Sequence, residues 1–368
     1  RDVAPSRGLG DVYKRQGMIA TAALLTMALA GNVQAAEIRS VGPDGEAAVD
    51  ASTIELTDDQ IAQIKEGGYT AAICLHYGGN DWSTSQQKGL EDTFGELGIE
   101  IVAVTDANFS AETQVSNIET VMAKKPDILV SIPTDATATA DAYKQAAAAG
   151  IKIVFMDQRA NGLEAGKDYV SVVSADNYGN GYASGTVLGD ALGGKGKVAM
   201  VYYDANFAPT NQRDEGFRDA MKNYPDIEIV TEQGFTDESG CAEQGDAILT
   251  QFPNIDGIYA SWDVPMEGVL SAVRAAGMEG KVTLACNDLG NNVAREIASG
   301  NIAGGGAQMP YDQGVAEAKL AALALLGEET PSYVAVPAET VTHENVLEAY
   351  TDVYHVETPD WLKEAYVE

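Results

Sequence analysis

Six short segments hold the residues most able to do chemistry: Asn80-Asp81-Trp82, Pro133-Thr134-Asp135, Asp157-Gln158-Arg159, Asp176-Asn177, Trp262-Asp263 and Asn287-Asp288. Each follows a short apolar run, and each supplies a carboxylate or amide, several beside an indole or an arginine. Carboxylates and amides accept from or bridge neighbouring hydroxyls, and indole faces cover the C–H faces of a sugar ring. The set therefore suits a polyhydroxylated ligand. The stretch "GGNDWSTSQQKG" (78–89) makes the point most sharply. A turn there uses the glycines and the Asn, but it has no need of Trp82. We expect Trp82 to line a cleft, Trp262 to cover the ligand from the opposite side, and Asn80 to offer its amide to hydroxyls. Plainer roles compete. Either Trp could pack in a core, and Asp157, Asp263 or Asp288 could cap a following helix.

Other chemistries find little support. His76, His343 and His355 are far apart, and "HENVL" lacks the second histidine of a zinc helix, so no metal or cofactor is expected. "GGKGK" (193–197) lacks the Lys-Ser/Thr ending of a phosphate loop and reads as a helix stop and turn. No Gly-x-Ser-x-Gly nucleophile elbow occurs. Carboxylates are abundant enough that residue types alone leave a glycosidase pair open. The three cysteines, Cys74, Cys241 and Cys286, are an odd number; two sit in apolar runs, where a thiol acts as a small hydrophobe.

The elements that must position these residues are legible as alternation. Strand-like runs occupy 69–76, 99–104, 127–132, 151–156, 169–174, 197–203, 227–230, 257–261 and 282–286, with helix-length patterns between them. Continuous Val/Ile runs alternating with helices indicate parallel sheets covered on both faces. Nine strands exceed one comfortable sheet, and the pattern restarts after "SADNYGNG". The reading is α/β, two doubly wound parallel-sheet lobes with a break near Ala175. In such sheets ligands bind beyond the carboxyl ends of the strands, where the six segments fall.

The 368 residues suffice for two domains. Residues 1–16 fit nothing downstream and are set aside. "GMIATAALLTMALAGNVQAAE" (17–37) reads as a secretory signal, apolar and then small at Val33-Gln34-Ala35, with cleavage expected after Ala35. It is short for a membrane anchor, which needs roughly 20 apolar residues. Net charge is −32, and residues 1–35 carry four basic but only two acidic side chains, so the remainder is more acidic still. Such a surface repels nucleic acid and anionic membranes and opposes self-association. We expect an exported, soluble monomer.

Residues 69–347 resemble the type I periplasmic sugar-binding proteins, the ribose-binding group. The resemblance rests on "SIPTDATATADAYKQAAAAGIKIVFMD", "SADNYGNG", "NQRDEGF", "ASWD", "CND" and "AQMPYDQG", which fall in that family's order. It implies a periplasmic receptor that closes two lobes over one monosaccharide or sugar alcohol about a three-segment hinge and delivers it to the permease of an ABC importer. Carried over residue by residue, ligand contacts fall at Asn80, Trp82 and Ser83, at Asp157 and Gln158, and at Asn211, Trp262, Asp263, Asp288 and Gln308. Three positions depart: Trp262 replaces an amide common in ribose binders, Ile132 an Asn, and Gln158 an Arg. Arg159 follows one residue later. Crossings near Ala175, Gln308 and Val336 would put 69–175 and 309–336 in lobe 1, and 176–308 and 337–347 in lobe 2. Residues 36–68 and 348–368 would be extensions. A signal receptor of the same fold and a secreted glycoside hydrolase are the competing functions.

Overall fold

Most Val- and Ile-rich runs form strands buried on both faces, those at Glu100–Asp106 and Asp226–Phe235 lie part-exposed at sheet edges, and the patterns between them form the covering helices. The computed structural model describes residues 37–367, and the expected leader lies outside them. The chain opens with β1 (Val49–Asp50), α1 (Asp58–Gly67), β2 (Thr70–Leu75), α2 (Asp81–Glu96), β3 (Glu100–Asp106) and α3 (Ala111–Ala123). There follow β4 (Ile128–Ser131), α4 (Ala140–Ala148), β5 (Lys152–Met156), β6 (Ser171–Ala175), α5 (Asn177–Ala191) and β7 (Lys195–Tyr203). Next are α6 (Ala208–Met221), β8 (Asp226–Phe235), α7 (Cys241–Gln251), β9 (Gly257–Ala260), α8 (Asp263–Ala275) and β10 (Thr283–Cys286). The chain ends with α9 (Asn291–Ala298), β11 (Gly304–Ala307), α10 (Pro310–Leu325), β12 (Tyr333–Val336), β13 (Glu339–Thr342), α11 (Val346–Tyr354) and α12 (Asp360–Ala365).

Two sheets result. The first runs β1-β12-β6-β5-β4-β2-β3, all parallel. The second runs β13-β11-β10-β9-β7-β8 and is parallel except at β13, which pairs antiparallel with β11. The expectation of purely parallel sheets is corrected at that edge, where β13 follows β12 after only two residues. β12 belongs to the first sheet, so β13 enters this edge directly from the other lobe and runs opposite to β11. Alternate residues of one strand feed opposite cores: Ala71, Ile73 and Leu75 on one face of the first sheet, Ala72 and Cys74 on the other. All three cysteines are buried and free.

Four strands escaped the sequence pattern: β1, β11, β12 and β13. β1 is two residues long, and β12 is a four-residue run just beyond Pro331. β11 reads "GGGA" and carries no β signal, because its glycines answer to packing. A Cβ on Gly306 would stand 2.3 Å from the backbone oxygen of Asn180, so α5 could not lie this close to the sheet over any other residue.

The chain passes between the sheets three times: from β6 to β7, from β11 to β12, and from β12 to β13. Residues 37–50, read from sequence as part of an extension, brace the first crossing. Asp176 accepts from Arg39 N at 2.9 Å and Ser40 N at 2.8 Å while capping α5 through Gly179 N at 2.9 Å. The Arg39 guanidinium lies 4.0 Å above the Tyr182 ring, and Arg159 pairs with Asp44 at 2.6 Å. β1 then joins the first sheet beside β12, and Ile64 of α1 is buried in its core. At the other end, Val353 of α11 and Leu362 of α12 sit in the second lobe's core. Among the described residues no helix is long and apolar enough to cross a membrane.

Candidate ligand-binding cleft

The carboxyl ends of both sheets meet at a cleft of about 470 Å³, part of it open to solvent. "GGNDWSTSQQKG" forms the turn after β2 and the start of α2. Gly79 adopts φ 86°, a left-handed turn, and Asn80 is the N-cap. Its Oδ1 accepts from Ser83 N at 2.8 Å and its Nδ2 donates to the Tyr77 hydroxyl, so the amide expected to meet hydroxyls is engaged within its own lobe. Ser83 points inward, buried, and donates to Asn80 O at 3.2 Å; it does not line the cleft. Trp82, in the first turn of α2, does.

A continuous polar chain runs from Trp82 into the second lobe. Trp82 Nε1 donates to Gln308 Oε1 at 3.2 Å, and Gln308 Nε2 donates to Asp288 Oδ1 at 2.8 Å. Arg213 Nη1 reaches Asp288 Oδ2 at 3.1 Å, and its Nε donates to Asn177 Oδ1 at 2.9 Å. Burial works against the Arg213 charge, but Asp288 and Asp157 more than offset it and its pKa lies above the ordinary value. Asp157 Oδ1 accepts from Ser174 Oγ at 2.9 Å, Ala175 N at 3.4 Å and Gln313 Nε2 at 3.4 Å. Both carboxylates sit at strand ends in the left-handed region, Asp157 at φ 53° and Asp288 at φ 68°. Non-glycine residues occupy that region sparsely, and side chains held there concentrate at functional sites.

Six of the ten expected contact residues line one cleft: Asn80, Trp82, Asp157, Trp262, Asp288 and Gln308. Four do not. Besides Ser83, Gln158 is buried and ties the lobes together, donating to Pro133 O at 2.7 Å and accepting from Ala208 N at 3.2 Å. Asp263 faces an adjoining crevice with Trp82, Asp288 and Gln308, and burial, then Asp288, hold its carboxyl well above the usual range. Asn211 is exposed, and Arg213 lines the cleft instead. Two residues on a helix stand about 200° apart, so only one of them can face inward. Arg159 is turned to Asp44 and Leu163 O, away from the cleft.

Sequence reasoning also missed an aromatic wall of His76, Tyr77, Phe109, Tyr203 and Phe207. Phe207 stacks on His76 at 5.6 Å between lobes, Phe109 stacks on Tyr77 at 4.1 Å, and Tyr203 meets Trp262 edge-on at 5.6 Å. A signal existed. The tetrapeptide Asp-Ala-Asn-Phe occurs twice, at 106–109 and 204–207, each time at the end of a strand, and each time its Phe reaches the cleft. Burial lowers the His76 pKa to about 3, so its ring is neutral, and its Nδ1 is buried without a partner.

The family model "Periplasmic binding protein domain" matches residues 71–329. The chain is 29% identical over 273 residues to the D-ribose/D-allose-binding protein of Pseudomonas aeruginosa, covering 71% of this chain and 83% of that protein. An ABC transporter periplasmic solute binding protein from Actinobacillus succinogenes 130z, solved with bound D-allose, superposes with TM-score 0.70 at 29% identity. That similarity covers 76% of this chain and 99% of the other. A solute binding protein from Agrobacterium vitis, bound with alpha-D-tagatopyranose, gives TM-score 0.72 at 25% identity over 79% and 100% of the two chains. With its two doubly wound lobes, three crossings and a family match over more than half its length, the chain belongs to the periplasmic binding protein family.

Proposed function

We propose that the protein captures a monosaccharide or sugar alcohol between its lobes in the periplasm and hands it to the permease of an ABC importer. The observation that carries this reading is the chain Trp82–Gln308–Asp288–Arg213, which places an indole, an amide, a carboxylate and a guanidinium along one cleft shared by both lobes. Each group can exchange an internal hydrogen bond for one to a ring or chain hydroxyl. Trp82 and Trp262 supply flat apolar faces, and Ile132 and the aromatic wall limit which edges of a ligand can be polar. Relatives named for D-ribose and D-allose, and structures holding D-allose and tagatopyranose, support the sugar class.

Binding without chemistry fits the same groups. Asp288 is held by Arg213 and Gln308, so it serves poorly as a nucleophile or base. The acidic chain favours a monomer. A thermal-shift screen of residues 36–368 across pentoses, hexoses and alditols tests the reading. A true ligand at 100 times its Kd should stabilise by about 2.7 kcal/mol. Calorimetry then gives stoichiometry, expected at one per chain. Silence across the screen would overturn the sugar reading, and turnover of glycosides would favour a hydrolase.

A further inference from the structure

The cleft holds more negative than positive charge. Its charged lining is Asp157, Asp288 and Arg213, and Asp263 faces the crevice directly behind. Among the described residues Arg213 is the only Lys or Arg lining either space, and its hydrogen bonds go to Asp288, Asn177 and Ser261 O. His76 is neutral, and Arg159, beside Asp157 in sequence, is committed to Asp44. Asp157 is only 9% exposed, and its hydrogen bonds come from neutral donors: Ser174, Ala175 N and Gln313. All three converge on Oδ1, and Asp157 lines the cleft. The Arg213 charge lies near but is bonded to Asp288, and a buried carboxylate with no cation bonded to it is costly to keep ionised, so a partner that brings one is favoured. Trp82, Tyr77, Phe109, Phe207 and Trp262 line the same cleft, and the faces of such rings attract cations.

We propose that the ligand supplies the missing cation: the cleft selects a monosaccharide or polyol that carries one protonated amino group, paired with Asp157. This rests on the sugar reading above. The hydroxyls of such a ligand would meet Gln308, Asp288 and Arg213, while the ammonium would neutralise the one carboxylate that Arg213 leaves unbonded. A neutral sugar would instead donate hydroxyls to Asp157 and leave its charge unpaired, or meet it in its protonated form. Burial does push the Asp157 pKa up, against the nearby Arg213 charge, so the two cases need a direct comparison.

Calorimetry on residues 36–368 at about pH 6, where such amines are charged, makes that comparison. The probes are D-glucosamine, D-galactosamine and 1-amino-1-deoxysorbitol, each set against its hydroxyl parent and its neutral N-acetyl form. We expect at least one amine to bind about tenfold or more tightly than both neutral counterparts. Asp157→Asn should abolish that preference, and the wild-type comparison stands alone if the variant unfolds. Neutral sugars binding as tightly as the amines, or more tightly, would overturn the amine inference and leave the sugar reading standing. Binding by none of these probes nor by any member of the broad sugar screen would overturn both.

Discussion

Trp82 Nε1 donates to Gln308 Oε1 at 3.2 Å, so the indole at the start of the first lobe's second helix is bonded to the residue at which the chain leaves the second sheet. Trp262, across the cleft, is set more deeply. It is 7% exposed, packs against Phe235 at 5.1 Å and donates to Glu238 at 2.9 Å. The two indoles share a cleft but differ in what supports the fold.

Their alanine variants should therefore separate. Trp82→Ala is expected to weaken sugar binding by about 1–3 kcal/mol, roughly 5- to 150-fold, with little change in Tm. Trp262→Ala should weaken binding and also cost about 3–5 kcal/mol of stability, because it empties part of a core. Calorimetry and thermal denaturation on both variants check this. Equal stability losses would contradict it.

Arg213 and Asp288 form an ion pair whose side chains are 6% and 9% exposed. Arg213→Met removes the cation and strands the carboxylate, which should cost about 3–5 kcal/mol. Arg213→Met with Asp288→Asn should recover much of that loss, since neither charge is then left alone. Chemical denaturation of the two single variants and the double variant gives the coupling.

Asp214, buried on α6 next to Arg213, accepts from Ser261 Oγ at 2.7 Å. Burial pushes its pKa up to about 7, against the hydrogen bond from Ser261 and the Arg218 and Arg213 charges. Its folded-state value exceeds the unfolded one, so its contribution is fully present below the unfolded value of 3.8 and is lost as pH rises through about 7. Wild-type Tm should therefore fall between about pH 4 and 7 relative to Asp214→Asn, which has no such proton to lose, and level off above that. Parallel pH profiles of the two proteins would refute the assignment.

Asp81 of the first lobe accepts from Asn291 N at 2.7 Å and Asn291 Nδ2 at 2.8 Å in the second, which favours closed lobes. Asp81→Ala should raise the ligand-free radius of gyration in small-angle scattering and weaken apparent affinity, by shifting population toward the open state. Saturating sugar should restore the compact value. A radius unchanged by both sugar and mutation would argue against hinge closure.

Much of this architecture was legible because buried parallel strands must be continuously apolar, and "AAICL" and "KIVFM" have few other uses. The strand-end rule also located Asp157 and Asp288, whose left-handed turns lie at the carboxyl ends of β5 and β10. What escaped was whatever depends on a partner distant in sequence. β11 is a strand only because α5 presses on its glycines. Helix phase decided between Asn211 and Arg213, and an apolar pattern as sparse as that of "APTNQRDEGFRDAM" leaves phase undefined. Asn80 carried two signals at once, turn and contact, and as the N-cap of α2 its oxygen is already claimed. Residues 37–50 looked like a tail because a two-residue strand and a carboxylate 136 positions away leave no local trace.

That segment changes the mechanics of the junction. Three covalent crossings alone would act as a soft torsion joint, free to choose its axis. The backbone of Arg39 and Ser40 adds a fourth ply, fastened to Asp176 on the first crossing itself. A tie attached at the pivot does not stretch when the lobes swing. It restrains sideways shear instead, so the brace selects the axis of rotation and leaves the amplitude to the groups that meet across the cleft.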